Sequence, residues 1–207
     1  MIRKELFVLV IAAALYVPAA ARSADAVASV SAVAGATAQP STVITMQIDP
    51  NTAEGQFEWG KKALEVREDI KAQECFEKAT QLKPTWAEAW AYYGAARGRT
   101  NHVDDELEYC KKAAEMKPKS AEIRFLLGMA WVDQGKDGKA EDAFLEAIAL
   151  EPRFALSHYR LGLVYNSNEN WKKALKELQA FVALQPTGPE AENAQAMIGR
   201  IKLALDH

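Results

Sequence analysis

Proline recurs in this chain at a fixed step. Pro84, Pro118, Pro152 and Pro186 stand 34 residues apart. Glycine keeps the same step at Gly60, Gly94, Gly128 and Gly162. Proline cannot continue a helix, so each one closes whatever precedes it. A chain punctuated this way folds as stacked copies of one unit, because a single unit cannot bury its own apolar face.

The unit is clearest over residues 121–154. Ile123, Leu127, Gly128 and Trp131 recur at helical spacing, and Gly135 then suits a left-handed helix end. Ala140, Ala143, Phe144, Ala147 and Ile148 form a second periodic run, closed by Pro152. Two short helices and a tight turn make an αα-hairpin. Other columns keep the register. Leu82, Met116, Leu150 and Leu184 precede the prolines. Ala79, Ala113 and Ala147 align with Phe181; Ala72, Ala140 and Ala174 align with Glu106; Phe76 and Phe144 align with Cys110 and Leu178. Glycine inside a helix costs about 1 kcal/mol against alanine. Four in register therefore predict a close approach of another helix. The alanine column is the expected partner, with the Phe and Leu sites filling the remaining volume.

These columns resemble the tetratricopeptide repeat family over residues 53–188. The small-residue pattern is met at Gly60/Ala72, Gly128/Ala140 and Gly162/Ala174, and the aromatic sites at Phe76, Phe144, Trp90, Trp131 and Tyr165. The resemblance implies an all-α, right-handed superhelical solenoid of four helix-turn-helix units, 53–86, 87–120, 121–154 and 155–188. Its concave surface would bind peptides or proteins. Glu106 stands where a small residue is expected, and Arg97 where an aromatic is, so the second unit is expected to pack more loosely.

Upstream, residues 1–26 read as a secretory signal: Arg3 and Lys4, an apolar stretch over 6–17, then small residues around Ala21 and Ala26. The apolar run is short for a membrane span, which needs about 20 residues. The expected location is periplasmic or secreted, with an uncleaved inner-membrane anchor the lesser alternative. Residues 27–52, rich in Ala, Ser, Val and Thr, read as a flexible linker. Within it, Ile44, Met46 and Ile48 alternate, as in a segment that pairs as a strand or lies along a groove. Residues 189–207 read as a capping helix, acidic at Glu190 and Glu192 and basic at Arg200 and Lys202, as the helix dipole prefers.

Charge and motifs exclude several functions. A formal charge of −3 supplies no field for nucleic acid. No catalytic triad order, phosphate-binding glycine loop or metal-ligand spacing occurs, so no enzyme, metal or cofactor is expected. His158 shares a column with Gln56, Trp90 and Arg124, which favours packing over chemistry. Cys75 and Cys110 lie on adjacent units at offset positions and are expected as free, buried thiols.

The functional signal is a second apolar stripe on the first helices. Phe125, Met129 and Val132 fall at i, i+4 and i+7. Tyr159 and Leu163 repeat it before polar Asn166; Phe57 and Leu64 flank Lys61; Ala91, Ala95 and Gly98 are expected to leave a hollow. In the resembled family these positions face the concave groove. The stripe predicts a site for an apolar or amphipathic peptide on an envelope scaffold or assembly factor. The alternative is a holding chaperone for exported chains such as cytochromes or pili.

Overall fold

A computed structural model describes residues 49–205, and every regular element among them is an α-helix. The helices are α1 (Ala53–Glu65), α2 (Asp69–Leu82), α3 (Ala87–Arg99), α4 (Val103–Met116), α5 (Ala121–Asp133), α6 (Asp137–Leu150), α7 (Ala155–Ser167), α8 (Trp171–Leu184) and α9 (Pro189–Leu205). The first eight pair as four hairpins, and each later first helix packs on the second helix before it. The signal segment and most of the linker lie outside the described residues.

Each hairpin turns through the same backbone device. Arg67, Asn101, Gly135 and Glu169 share one register position, and all four have positive φ, at 61°, 71°, 68° and 58°. The following amide then reaches back to close the helix end: Glu68 donates to the Ala63 carbonyl at 2.8 Å, His102 to Arg97 at 3.0 Å, Lys136 to Trp131 at 2.9 Å and Asn170 to Tyr165 at 2.8 Å. This six-residue closure satisfies carbonyls that a helix end otherwise leaves open.

Between units a second device recurs. The fourth residue of each first helix reaches the carbonyl of the proline six residues earlier. Gln56 Nε2 donates to Pro50, Trp90 Nε1 to Pro84 at 2.8 Å and Arg124 Nε to Pro118 at 3.3 Å, while His158 Nε2 lies 3.2 Å from the Pro152 oxygen. Pro50 stands 34 residues before Pro84, so the period reaches one turn further upstream than the helices do.

Inside the hairpins the partner helix does approach each glycine of the column closely, and the nearest atoms belong to large side chains in three units and to the Glu106 carbonyl in the second. A β-carbon on Gly60 would lie 2.6 Å from the Phe76 ring, and one on Gly128 2.6 Å from the Phe144 ring. On Gly162 it would lie 2.8 Å from Leu178. In the fourth unit Leu178 sits at the usual ring position, and Phe181 carries an aromatic ring one turn later against Tyr159, at 4.8 Å between centroids. The second unit is not loose. A β-carbon on Gly94 would approach the Glu106 carbonyl to 2.9 Å and Cys110 Sγ to 3.1 Å. The expected hollow beside Gly98 is filled by the Glu106 side chain. Arg97 forms an ion pair with Asp105 in place of an aromatic contact.

At the C-terminal end, α9 packs on α8 through buried Ala191, Ala194, Met197 and Ile201. Gln195, Arg200 and Lys202 face outward. A polar outer face helps close a solenoid end in water, though Leu203 and Leu205 near the end of α9 are exposed as well.

Candidate peptide-binding surface

The first helices are inner helices, and their surroundings decide which side chains a partner can reach. α5 packs against α4, α6 and α3. A helix with neighbours on several sides is apolar nearly all round, and α5 buries Ile123, Phe125, Leu126, Leu127, Met129 and Ala130 together.

The anchors of the predicted stripe are therefore core residues. Phe125 is 1% exposed, Met129 2% and Tyr159 1%. The Phe125 ring lies 5.8 Å from that of Phe144 and 5.2 Å, edge-on, from that of Phe154. Phe57 meets Phe76 at 5.4 Å, Trp86 at 4.6 Å and Tyr92 at 5.1 Å. Leu64, Ala91 and Ala95 are buried as well. These side chains thus hold the hairpins together, and the expectation that they form an exposed apolar patch is corrected. Periodicity places a residue on a face; it does not say whether that face meets solvent or a second helix.

Lys61, Val132, Leu163 and Asn166 remain half-exposed at the same register positions. Lys61 pairs with Glu58 at 2.6 Å and lies over the Phe57 ring at 5.3 Å. Val132 and Leu163 rest on the core with part of each side chain outside. The reachable part of the first-helix surface is thus a narrow mixed row.

A wider apolar row lies elsewhere. Leu82, Met116, Leu150 and Leu184, the residues ending the second helices, are all exposed, as is Leu145 on α6. Their shared register before each proline was the available signal. Packing at a helix end and exposure there look alike in sequence.

The buried polar groups are structural. His158 Nδ1 lies 2.7 Å from Glu177 Oε2, so both ring nitrogens face partners within the fold. Tyr92 donates to Glu122 at 2.6 Å and Tyr165 to Glu141 at 2.7 Å, tying units together. Burial, and then the neighbouring charge of Asp133, push the Glu106 carboxyl up to about 9. Burial also pushes the Cys110 thiol up, and Cys75 and Cys110 are both free. Cys110 is buried as expected, whereas Cys75 is only half-buried. Among the described residues, no group of His, Cys, Asp and Glu could hold a metal, and no helix is long and apolar enough to cross a membrane.

Residues 112–152 and 125–189 match the tetratricopeptide repeat family model. The solved structure of TTC0263 from Thermus thermophilus, described as a thermophilic TPR protein, superposes with a TM-score of 0.66 at 21% identity, over 74% of this chain and 83% of that one. YrrB, described as a TPR protein with an unusual peptide-binding site, superposes with a TM-score of 0.56 at 24% identity, over 72% and 76%. Among curated proteins, anaphase-promoting complex subunit 3 of Schizosaccharomyces pombe is 25% identical over 109 residues, 53% of this chain. The chain spans only 16% of that relative's length.

Proposed function

We propose that this chain, whose residues 112–189 carry tetratricopeptide repeats, is a non-catalytic protein-binding module of the bacterial cell envelope. The observation that carries the reading is a set of half-exposed side chains at shared register on three of the four first helices. They are Lys61 on α1, Val132 on α5 and Leu163 and Asn166 on α7. Such a row suits an amphipathic segment laid across several helices, with its apolar side on Val132 and Leu163. Export rests on the basic–apolar–small order of residues 1–26.

A second reading places the partner along the ends of the second helices. The exposed Leu82, Met116, Leu150 and Leu184, one at the end of each second helix, favour it, since large apolar side chains left in water at a repeated position suit a partner that spans several units.

Capture from envelope extract tests both. Val132→Glu with Leu163→Glu abolishes capture of a stoichiometric partner if the first-helix row is used. Leu150→Glu with Leu184→Glu does so if the helix ends are used. Capture of many unfolded chains instead of one partner would favour a holding chaperone. Capture that survives both double variants would overturn both surfaces. Export is tested by N-terminal sequencing from the native host, which should begin at Arg22 or Val27; an intact Met1 on soluble cytosolic protein rejects it.

A further inference from the structure

The first-helix row has a polar member that no first helix supplies. Leu64, Val132 and Asn166 share one register position, and in α3 that position is Gly98. Gly98 has no side chain to offer. The place of its β-carbon is taken by the Glu106 carboxyl, reaching across from α4. A second helix thus delivers a carboxyl to a half-buried stretch of first-helix surface.

That carboxyl is poorly served where it sits. Glu106 is 0% exposed, and neither of its oxygens receives a hydrogen bond from the fold. Its polar neighbour is a second acid, Asp133 on α5; burial, and then the charge of that neighbour, keep Glu106 in its acid form. A buried acceptor without a donor is costly, and two carboxyls side by side are an arrangement that a cation completes. Asp133 is exposed and adjoins half-exposed Val132. The pair therefore reaches solvent beside the apolar part of the row, where α5 meets α3.

The cations of the fold do not close this pair. On the same row Lys61 is engaged by Glu58 and Arg99 by Asp69. The buried Arg160 guanidinium on α7 also feels the charge of Asp133, but it is one cation beside two carboxyls. A metal ion does not fit, because among the described residues no group of His, Cys, Asp and Glu could hold one.

We propose that the segment bound along the first-helix row carries a lysine or arginine whose cation docks on Asp133 and the Glu106 carboxyl, with its apolar neighbours on Val132 and Leu163. This rests on the first-helix reading above and adds the charge of the partner. An ammonium brings three donors and a guanidinium five, enough to serve both carboxyls. Charge complementarity selects this occupant over an acidic segment, which would meet Glu65, Glu122 and Asp133, all exposed.

Selection from a phage-displayed library of random peptides, roughly the length of one helix, tests this on the full chain. Peptides recovered on the wild-type protein should carry Lys or Arg beside apolar residues. A recovered peptide, synthesised, should bind about tenfold more weakly to Glu106→Gln with Asp133→Asn. Replacing its basic residue by norleucine should weaken wild-type binding by a similar factor. Circular dichroism checks that the double variant folds. Asp133→Asn alone, at an exposed site, keeps the test open if it does not, with an expected loss of about threefold. Val132→Glu with Leu163→Glu separates the two readings. A peptide that loses binding to that variant, but not to the Glu106 and Asp133 variants, stays on the row and overturns the cation site alone. Acidic or uncharged peptides, peptides indifferent to every variant, or no recovered binder overturn the cation site as well.

Discussion

The carboxyl group of Glu106 occupies the space that a β-carbon on Gly98 would need. Both residues depart from their columns, Glu106 from alanine and Gly98 from the Leu64/Val132 position, and each departure makes room for the other. Gly98→Ala should therefore destabilise the protein by about 2 kcal/mol through overpacking, and Gly98→Ala with Glu106→Ala should recover most of it. A double-mutant cycle from urea midpoints checks this. Additive effects would mean that the two sites do not interact.

The same carboxyl predicts a pH dependence. Burial, and then the charge of Asp133 on α5, hold its acid form up to about 9 in the fold, against about 4.3 for a free glutamate. The native state therefore binds the extra proton between these values. Stability contributed by that proton is complete below the lower value and is lost as pH rises toward the upper one. The slope reaches at most about 1.4 kcal/mol per pH unit for one proton. Glu106→Gln should flatten it and be the more stable protein at pH 8. Urea unfolding at pH 5.5 and pH 8 measures both, and equal slopes for the two proteins would reject the assignment.

The left-handed turn column ranks a set of glycine changes. Arg67→Gly and Glu169→Gly should each stabilise by about 0.5–1 kcal/mol, since both residues already sit at positive φ. Gly135→Ala should cost about 1 kcal/mol, from backbone conformation alone, because a β-carbon there meets nothing within 4 Å. Gly128→Leu should cost more than the roughly 1–3 kcal/mol usual for overpacking, because the Phe144 ring fills the space. Thermal melts give the order, and Gly135→Ala as the worst of the four would contradict the packing described.

Phe125→Glu with Tyr159→Glu should unfold the chain. Each change removes a buried ring and puts a carboxylate in the core; at position 125 it stands among rings, while at 159 the Arg160 guanidinium lies 5.9 Å from the ring centroid, and a buried charge without a close partner is far costlier than a lost contact. Loss of the helical circular dichroism signal at 25 °C is the expected result. A folded double variant would place these rings at the surface after all.

The two thiols should differ. Cys75 is half-buried and Cys110 fully buried, and burial raises both thiols above the ordinary range, Cys110 well above it. Alkylation of the native protein should label Cys75 first, with Cys110 reacting only as the fold opens. Mass spectrometry without reductant should show no Cys75–Cys110 peptide.

Helix existence and most helix ends could be read from the sequence, because proline stops and left-handed turns are local signals. The surface was less legible. Phe125 and Met129 form a stripe distinct from Leu127 and Trp131, yet both stripes face protein, because α5 has neighbours on several sides. Spacing along one helix holds no information about how many others surround it. Glu106 looked like a defect for a similar reason: its complement, Gly98, lies on another helix and is unremarkable by itself.

The clasp between each first helix and the proline before it is made by a glutamine, a tryptophan and an arginine in turn, with a histidine at the same distance in the fourth unit. Chemically unlike side chains thus hold one seam, and the seam crosses the nominal boundary between units. Hairpins exchanged between positions in this array should accordingly be cut upstream of the proline, so that clasp and carbonyl travel together. A cut placed after the proline would pair a donor with a foreign turn, and the graft would be weakest at the joint that the repeat numbering makes look most natural.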